Sequence, residues 1–148
     1  AMKSLEIQHG GSHYKKLAIQ PVEFIAANDW DFFAGNALKY LTRWRDKNGT
    51  VDLRKARHYI DLRLELYVPV MRSSVWRTFE RIFSLKKSKL QPISMEEYVS
   101  KNLIPSEEHH LFYHLDEWVR GLSDESRLIA SMDAFINRKT SLRVTFDV

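Results

Sequence analysis

Phe33-Ala34-Gly35-Asn36-Ala37-Leu38-Lys39-Tyr40-Leu41-Thr42-Arg43-Trp44 and, past Asn48-Gly49, Thr50-Val51-Asp52-Leu53-Arg54-Lys55-Ala56-Arg57-His58-Tyr59-Ile60 decide how this chain folds. In the first stretch Phe33, Ala37, Leu41 and Trp44 recur at helical spacing and make an apolar stripe. Asn36, Lys39, Tyr40, Arg43 and Lys47 make a polar stripe along its border. Asp29 or Asp31 supplies the cap of this helix, which is expected to run to about Lys47. Asn48-Gly49 stops it, and Thr50 caps a following helix that runs to Tyr67, before Pro69. A connection this short makes the two helices an antiparallel hairpin.

Working outward, residues 3–20 have no helical period and contain Gly10-Gly11, which predicts a loop or extended arm. Pro21 suits the first position of a short helix holding Val22, Phe24 and Ile25. Downstream, Val70 to Lys87 reads as a helix with one basic side, and Ser88 to Pro92 as a linker. Ser94 with Glu97 forms a capping box. Glu107 to Arg120 is expected to be helical and closed by Gly121, and a last helix runs from Ser123 to about Arg138. The tail alternates Leu142, Val144, Phe146 and Val148, a strand period; one isolated strand is not stable alone, so the tail either pairs with another chain, pairs with the arm, or is not a strand. The fold class is therefore all-α, a bundle of about six helices with an N-terminal helical hairpin. Its division is a module over residues 1–69 and an extension over residues 70–148 that serves as a lid or an oligomer interface.

Only 5 Gly and 4 Pro punctuate the 148 residues, too few turns for a sandwich or barrel. The absence of Cys excludes disulfides and thiolate metal sites and fits a reducing cytoplasm. Apolar runs are short and broken by charge, and the N-terminus lacks a signal-peptide pattern, so neither membrane spanning nor export is expected. The net charge of +4 is uneven: cations concentrate over residues 39–63 and 72–89, which points to an anionic partner.

The polar stripe suits a nucleotide. A guanidinium such as Arg43 grips a phosphate with two parallel hydrogen bonds, an ammonium such as Lys39 follows charge between phosphoryl groups, and Asn36 can read a base edge or a sugar hydroxyl, with Tyr40 stacking or donating. The hairpin sets Asp52, Lys55, His58, Tyr59 and Arg63 on a face able to meet that stripe. Opposed cationic helices repel one another unless an anion lies between them. Substituting Lys39 or Arg43 by Ala is expected to abolish nucleotide binding without unfolding the chain.

Gly11-Ser12-His13-Tyr14, Ile19-Gln20-Pro21-Val22-Glu23, Phe33 to Tyr40 with Arg43, and Asp52 to Ala56 with Tyr59 follow one another in the order and spacing of a phage domain family. Over roughly its first 67 residues the chain thus resembles a phage nucleotide-kinase-like family, which includes a podovirus deoxynucleoside monophosphate kinase and many members of unknown function. The resemblance implies a site of Ser12, His13, Tyr14, Asn36, Lys39, Tyr40, Arg43, Lys55 and Tyr59. It also implies phosphoryl transfer to deoxynucleoside monophosphates from a nucleoside triphosphate donor, with magnesium as a candidate ion, in the host cytoplasm. With no glycine-rich phosphate loop, transfer would depend on Lys39, Arg43 and Lys55 for charge and on His13 or Asp52 for the acceptor proton. Two other functions fit the residues. One is a non-catalytic protein that sequesters nucleotides against host defence. The other is a nucleic-acid-binding accessory protein, for which Trp76, Phe79 and Phe83 among Arg72, Arg77 and Arg81 argue. The expected partners are mononucleotides and further copies of the chain. No metal site is expected: His110 and His114 lie one turn apart but lack a third ligand at a diagnostic distance.

Overall fold

Side chains that accept the first free N–H groups set where the helices begin. Asp31 accepts from the Ala34 N–H at 2.9 Å and opens α2 (Phe32–Arg43). Before it, Pro21 is the first residue of α1 (Pro21–Ala27), and the Glu23 carboxylate accepts from the Gln20 N–H at 3.2 Å. Helix α2 ends sooner than Lys47 and tightens into a 3-10 turn, Trp44–Asp46. Gly49 then takes φ +58, a backbone conformation that a side chain would strain, and Thr50 becomes the first residue of α3 (Thr50–Leu66), not its cap. The computed structural model describes residues 3–67 and 87–146, with the backbone alone for 142–146. The basic helix expected over residues 70–87 lies outside the described residues, Lys87 apart.

Ser94 accepts from the Glu97 N–H at 3.1 Å and opens α4 (Met95–Lys101). Only half of the expected capping box forms, because the Glu97 carboxylate turns instead to Lys101 at 2.7 Å. A 3-10 turn, Ser106–Glu108, leads into α5 (His109–Val119), and Gly121 follows at φ +71, the left-handed stop read from the sequence. The last helix runs past its expected end near Arg138, and of the alternatives for the tail the structure takes the one without a strand. Helix α6 (Ser126–Phe146) continues through Leu142, Val144 and Phe146, since no Gly or Pro interrupts it after Ser126 and a lone strand would leave its backbone groups unpaired. Among the described residues the chain is all-α, with six α-helices and no strand.

Helix α3 packs along α2 and against α6, while α5 bridges α2, α4 and α6. One apolar cluster runs through all six helices, from Phe24 and Leu38 through Leu53 and Ile60 to Tyr98, Phe112, Leu115, Met132 and Phe135. Each such large side chain contributes about 1.5–3 kcal/mol by leaving water. Polar ties cross between the two halves of the chain. The Asn102 amide pairs with both backbone groups of Ile19, at 2.9 and 2.8 Å, and so fixes the end of the N-terminal arm. Thr42 and the Tyr98 hydroxyl meet at 2.8 Å within the core. No helix among the described residues is long and apolar enough to cross a membrane.

Candidate functional site

Gly35 lets α1 come close to α2: a Cβ there would lie 3.1 Å from the Ile25 Cδ1. Beside this close approach the chain leaves a hollow of about 270 Å³. Pro21, Val22, Ile25, Trp30 and Phe32 give it apolar walls, and Tyr14, Asn36 and Lys39 stand among its polar groups. The apolar walls were not singled out as a site from the sequence. A cue was there in Trp30 and Phe32, two aromatic residues flanking the Asp31 cap just ahead of the small Gly35; Phe32 is 67% exposed.

At its Lys39 and Tyr14 end the hollow borders a group of cations. Lys39 Nζ lies 4.9 Å, Arg43 Cζ 4.5 Å and Lys55 Nζ 5.4 Å from the centre of the Tyr40 ring. That ring is stacked on Tyr59 at 5.7 Å and 16°, so α2 and α3 together present the aromatic platform. Such cation–π contacts offset part of the repulsion among the three charges. Burial first, and then the neighbouring Arg43 and Lys47, hold the Lys39 ammonium below its ordinary pKa. An anion placed here would relieve that charge surplus.

Arg43 is committed elsewhere than to open solvent. Its Nε donates to Asp52 Oδ2 at 3.1 Å and its Nη2 to Asp52 Oδ1 at 3.4 Å, while Nη1 donates to the Tyr14 hydroxyl at 3.3 Å. Asp52 is fully buried and also accepts from the Asn48 amide at 3.3 Å. The fork geometry that suits a phosphate is thus turned onto a carboxylate within the fold, and removing Arg43 would strand that carboxylate. The expectation that Arg43→Ala leaves folding intact is therefore replaced by a loss of stability.

The N-terminal arm is held by a residue the sequence reading passed over. Gln8 Oε1 accepts from the Tyr14 N–H at 3.0 Å, which points the Gln8 Nε2 donor at His13 Nδ1, 3.2 Å away. His13 Nδ1 must then accept, so the neutral ring carries its hydrogen on Nε2, which is buried and has no partner among the described residues. Burial, then Lys47 and Arg43, lower the His13 pKa. The His13 and Tyr14 rings pack at 4.2 Å. Ser12 is exposed, and its carbonyl accepts from the Lys15 N–H at 3.2 Å.

Of the residues read as a site, Tyr14, Asn36 and Lys39 line the hollow, and Tyr40, Arg43, Lys55 and Tyr59 gather beside it with Asp52 beneath. Asn36 donates its amide to the Phe32 carbonyl at 2.8 Å, leaving the amide oxygen without a partner among the described residues. Arg63 does not join them: it pairs with Asp31 at 2.9 Å and covers the Trp118 ring at 4.5 Å. His110 and His114 stand on α5 with ring centres 6.3 Å apart.

Residues 8–61, which hold most of the arm, α1, α2 and most of α3, match the model of a family described as a protein of unknown function, DUF3310. That description assigns no activity, and the match ends before the Tyr67 limit read from the motifs. No curated protein and no solved structure matches the chain.

Proposed function

We propose that this protein binds a nucleoside phosphate, with its ring in the hollow and its phosphoryl group against Lys39 and Lys55, and that it transfers phosphoryl groups between nucleotides. The observation that carries the reading is the junction at Lys39. There an apolar hollow of about 270 Å³, a volume suited to a base and sugar, borders a surplus of positive charge. A ring compound without charge would leave the ammonium groups unrelieved, and a bare anion would leave the apolar walls wet.

The resemblance to a phage nucleotide-kinase-like family supports a deoxynucleoside monophosphate as acceptor. In that reaction the acceptor phosphate oxygen attacks the terminal phosphorus of a nucleoside triphosphate, and nucleoside diphosphate leaves. Such transfers rest on positioning and charge more than on a strong base, so the pairing of Asp52 with Arg43 does not oppose the reading. That same pairing favours a second reading, in which the site holds nucleotides without turnover, because neither Asp52 nor His13 Nδ1 is open to take a proton. The nucleic-acid reading rested on residues 70–87, almost all of them outside the described chain.

One experiment separates these. The protein is incubated with each deoxynucleoside monophosphate and a triphosphate donor, products are resolved by chromatography, and binding is followed in parallel by thermal shift. Diphosphate products support transfer. Stabilisation with unchanged nucleotide supports the sequestering reading, and stabilisation by single-stranded DNA but by no mononucleotide would overturn both.

A further inference from the structure

Tyr14 stands where the arm meets both the hollow and Arg43. The residue belongs to the arm and lines the hollow, and its oxygen accepts from Arg43 Nη1 at 3.3 Å. A phenol has one hydrogen, which lies in the ring plane on one side of the oxygen or the other. With the guanidinium N–H on one side, the hydrogen takes the opposite side, and among the described residues it finds no acceptor. Arg43 in turn cannot swing away, because Asp52, fully buried, holds it through two nitrogens. The chain Asp52, Arg43, Tyr14 therefore fixes a single O–H donor at the hollow, next to Lys39.

We infer that the Tyr14 hydroxyl donates to a phosphoryl oxygen of the bound ligand and that Arg43 is a positioning residue, acting through Tyr14 rather than gripping the phosphate itself. This rests on the nucleotide reading and assigns within it which groups meet the phosphate: Lys39 as the charge, Tyr14 as the directed donor. Burial raises the Tyr14 pKa, which keeps the proton in place at neutral pH. Gln8 belongs to the same device, since its bond to the Tyr14 N–H sets where the ring stands.

The test is a double-mutant cycle with Tyr14→Phe and Arg43→Lys, reading dissociation constants by calorimetry for three probes: a deoxynucleoside monophosphate, the matching deoxynucleoside, and inorganic phosphate. Tyr14→Phe keeps the ring and the Asp52 pairing and removes the donor alone. It should weaken the monophosphate about tenfold, as loss of one hydrogen bond to a charged group does, and leave the deoxynucleoside unchanged. Arg43→Lys cannot hold Asp52 and Tyr14 at once; it should weaken the monophosphate comparably, and the double variant no further. Equal weakening of monophosphate and deoxynucleoside by Tyr14→Phe would reduce Tyr14 to a wall of the hollow and overturn the inference. Additive losses would return the phosphate grip to Arg43, with the same result. If the unaltered protein binds neither the monophosphate nor phosphate, the nucleotide reading falls and this inference with it; if it binds them and Tyr14→Phe binds as tightly, only the inference falls.

Discussion

Asp52 and Glu108 invite comparison because each is a buried carboxylate met by an arginine, Arg43 at the last position of α2 in one case and Arg45 in the 3-10 turn just past it in the other. At the Glu108 end charge is closed. Glu108 accepts from Trp44 Nε1 at 2.6 Å and from Arg45 Nε at 2.8 Å, while Glu107 meets both Arg45 and Lys139. Acids and bases there are matched, and the Trp44 ring packs edge-on against Phe135 at 5.6 Å. At the Asp52 end one carboxylate faces Arg43, and Lys39 and Lys55 are left over beside an open hollow. The same pairing chemistry thus makes a staple at one end and a site at the other. Buried ion pairs do not mark function by themselves; the unmatched charge beside an apolar hollow does.

The comparison predicts its largest effect in stability. Arg43→Ala leaves Asp52 buried and unpaired and should destabilise the fold by about 3–5 kcal/mol. Glu108→Ala strands the Trp44 N–H but frees Arg45, which is 39% exposed, to reach water. Its effect should be smaller, about 1–3 kcal/mol. Urea denaturation of the two variants measures both, and the reverse order would break the distinction drawn between a sealed and a vented pair.

Much of the helical frame was legible in the chain, because Asp31, Pro21, Ser94 and Gly121 act locally: each serves a free N–H, omits one, or takes a left-handed turn. The tail was left open for the opposite reason. Alternation of Leu142, Val144 and Phe146 is compatible with a strand, yet a strand needs a partner, whereas a helix carries its hydrogen bonds within itself. In the site, periodicity brought Lys39, Tyr40 and Arg43 to one stripe, and the hairpin added Lys55 and Tyr59. What the stripe could not reveal was which way the guanidinium fork turns, since Asp52 is next to Arg43 only in space. Nor could it reveal Gln8, whose role depends on two hydrogen bonds that pin a loop.

A smaller effect concerns the surplus cations themselves. Lys39→Ala should leave stability within about 0.5 kcal/mol of the parent, because a charge crowded by like charges is removed. It should weaken mononucleotide binding about ten- to a hundredfold, the loss expected of a charge-assisted bond to phosphate. Lys139→Ala, on the matched end, should leave binding unchanged. Calorimetric titration of both variants with one deoxynucleoside monophosphate decides this, and equal losses would erase the contrast between the ends.

The least effect, and the one that tells the two ends apart in the intact protein, is pH dependence. His13, on the arm, has a folded pKa below its ordinary 6.5, so the unfolded arm takes up a proton before the folded one does. Stability then rises with pH across this range: the docked arm is at full strength above about pH 6.5 and loosens as pH falls from there toward the folded value. Glu107, at the other end, has its pKa lowered from 4.5 by Arg45 and then Lys139, so its contribution is complete above 4.5 and fades only as pH falls below that. Between about pH 7 and about pH 5 the arm should therefore loosen while the Trp44 staple holds. Amide hydrogen exchange, taken relative to the intrinsic rate at each pH, reads both at once, with protection falling at Tyr14 N–H, the donor to Gln8, and constant in α5 and α6. His13→Gln, which cannot titrate, should remove the pH response of the arm. A response that survives the substitution would place the titrating group elsewhere, and parallel loosening at both ends would mean that matched and unmatched charge do not divide the molecule as its geometry indicates.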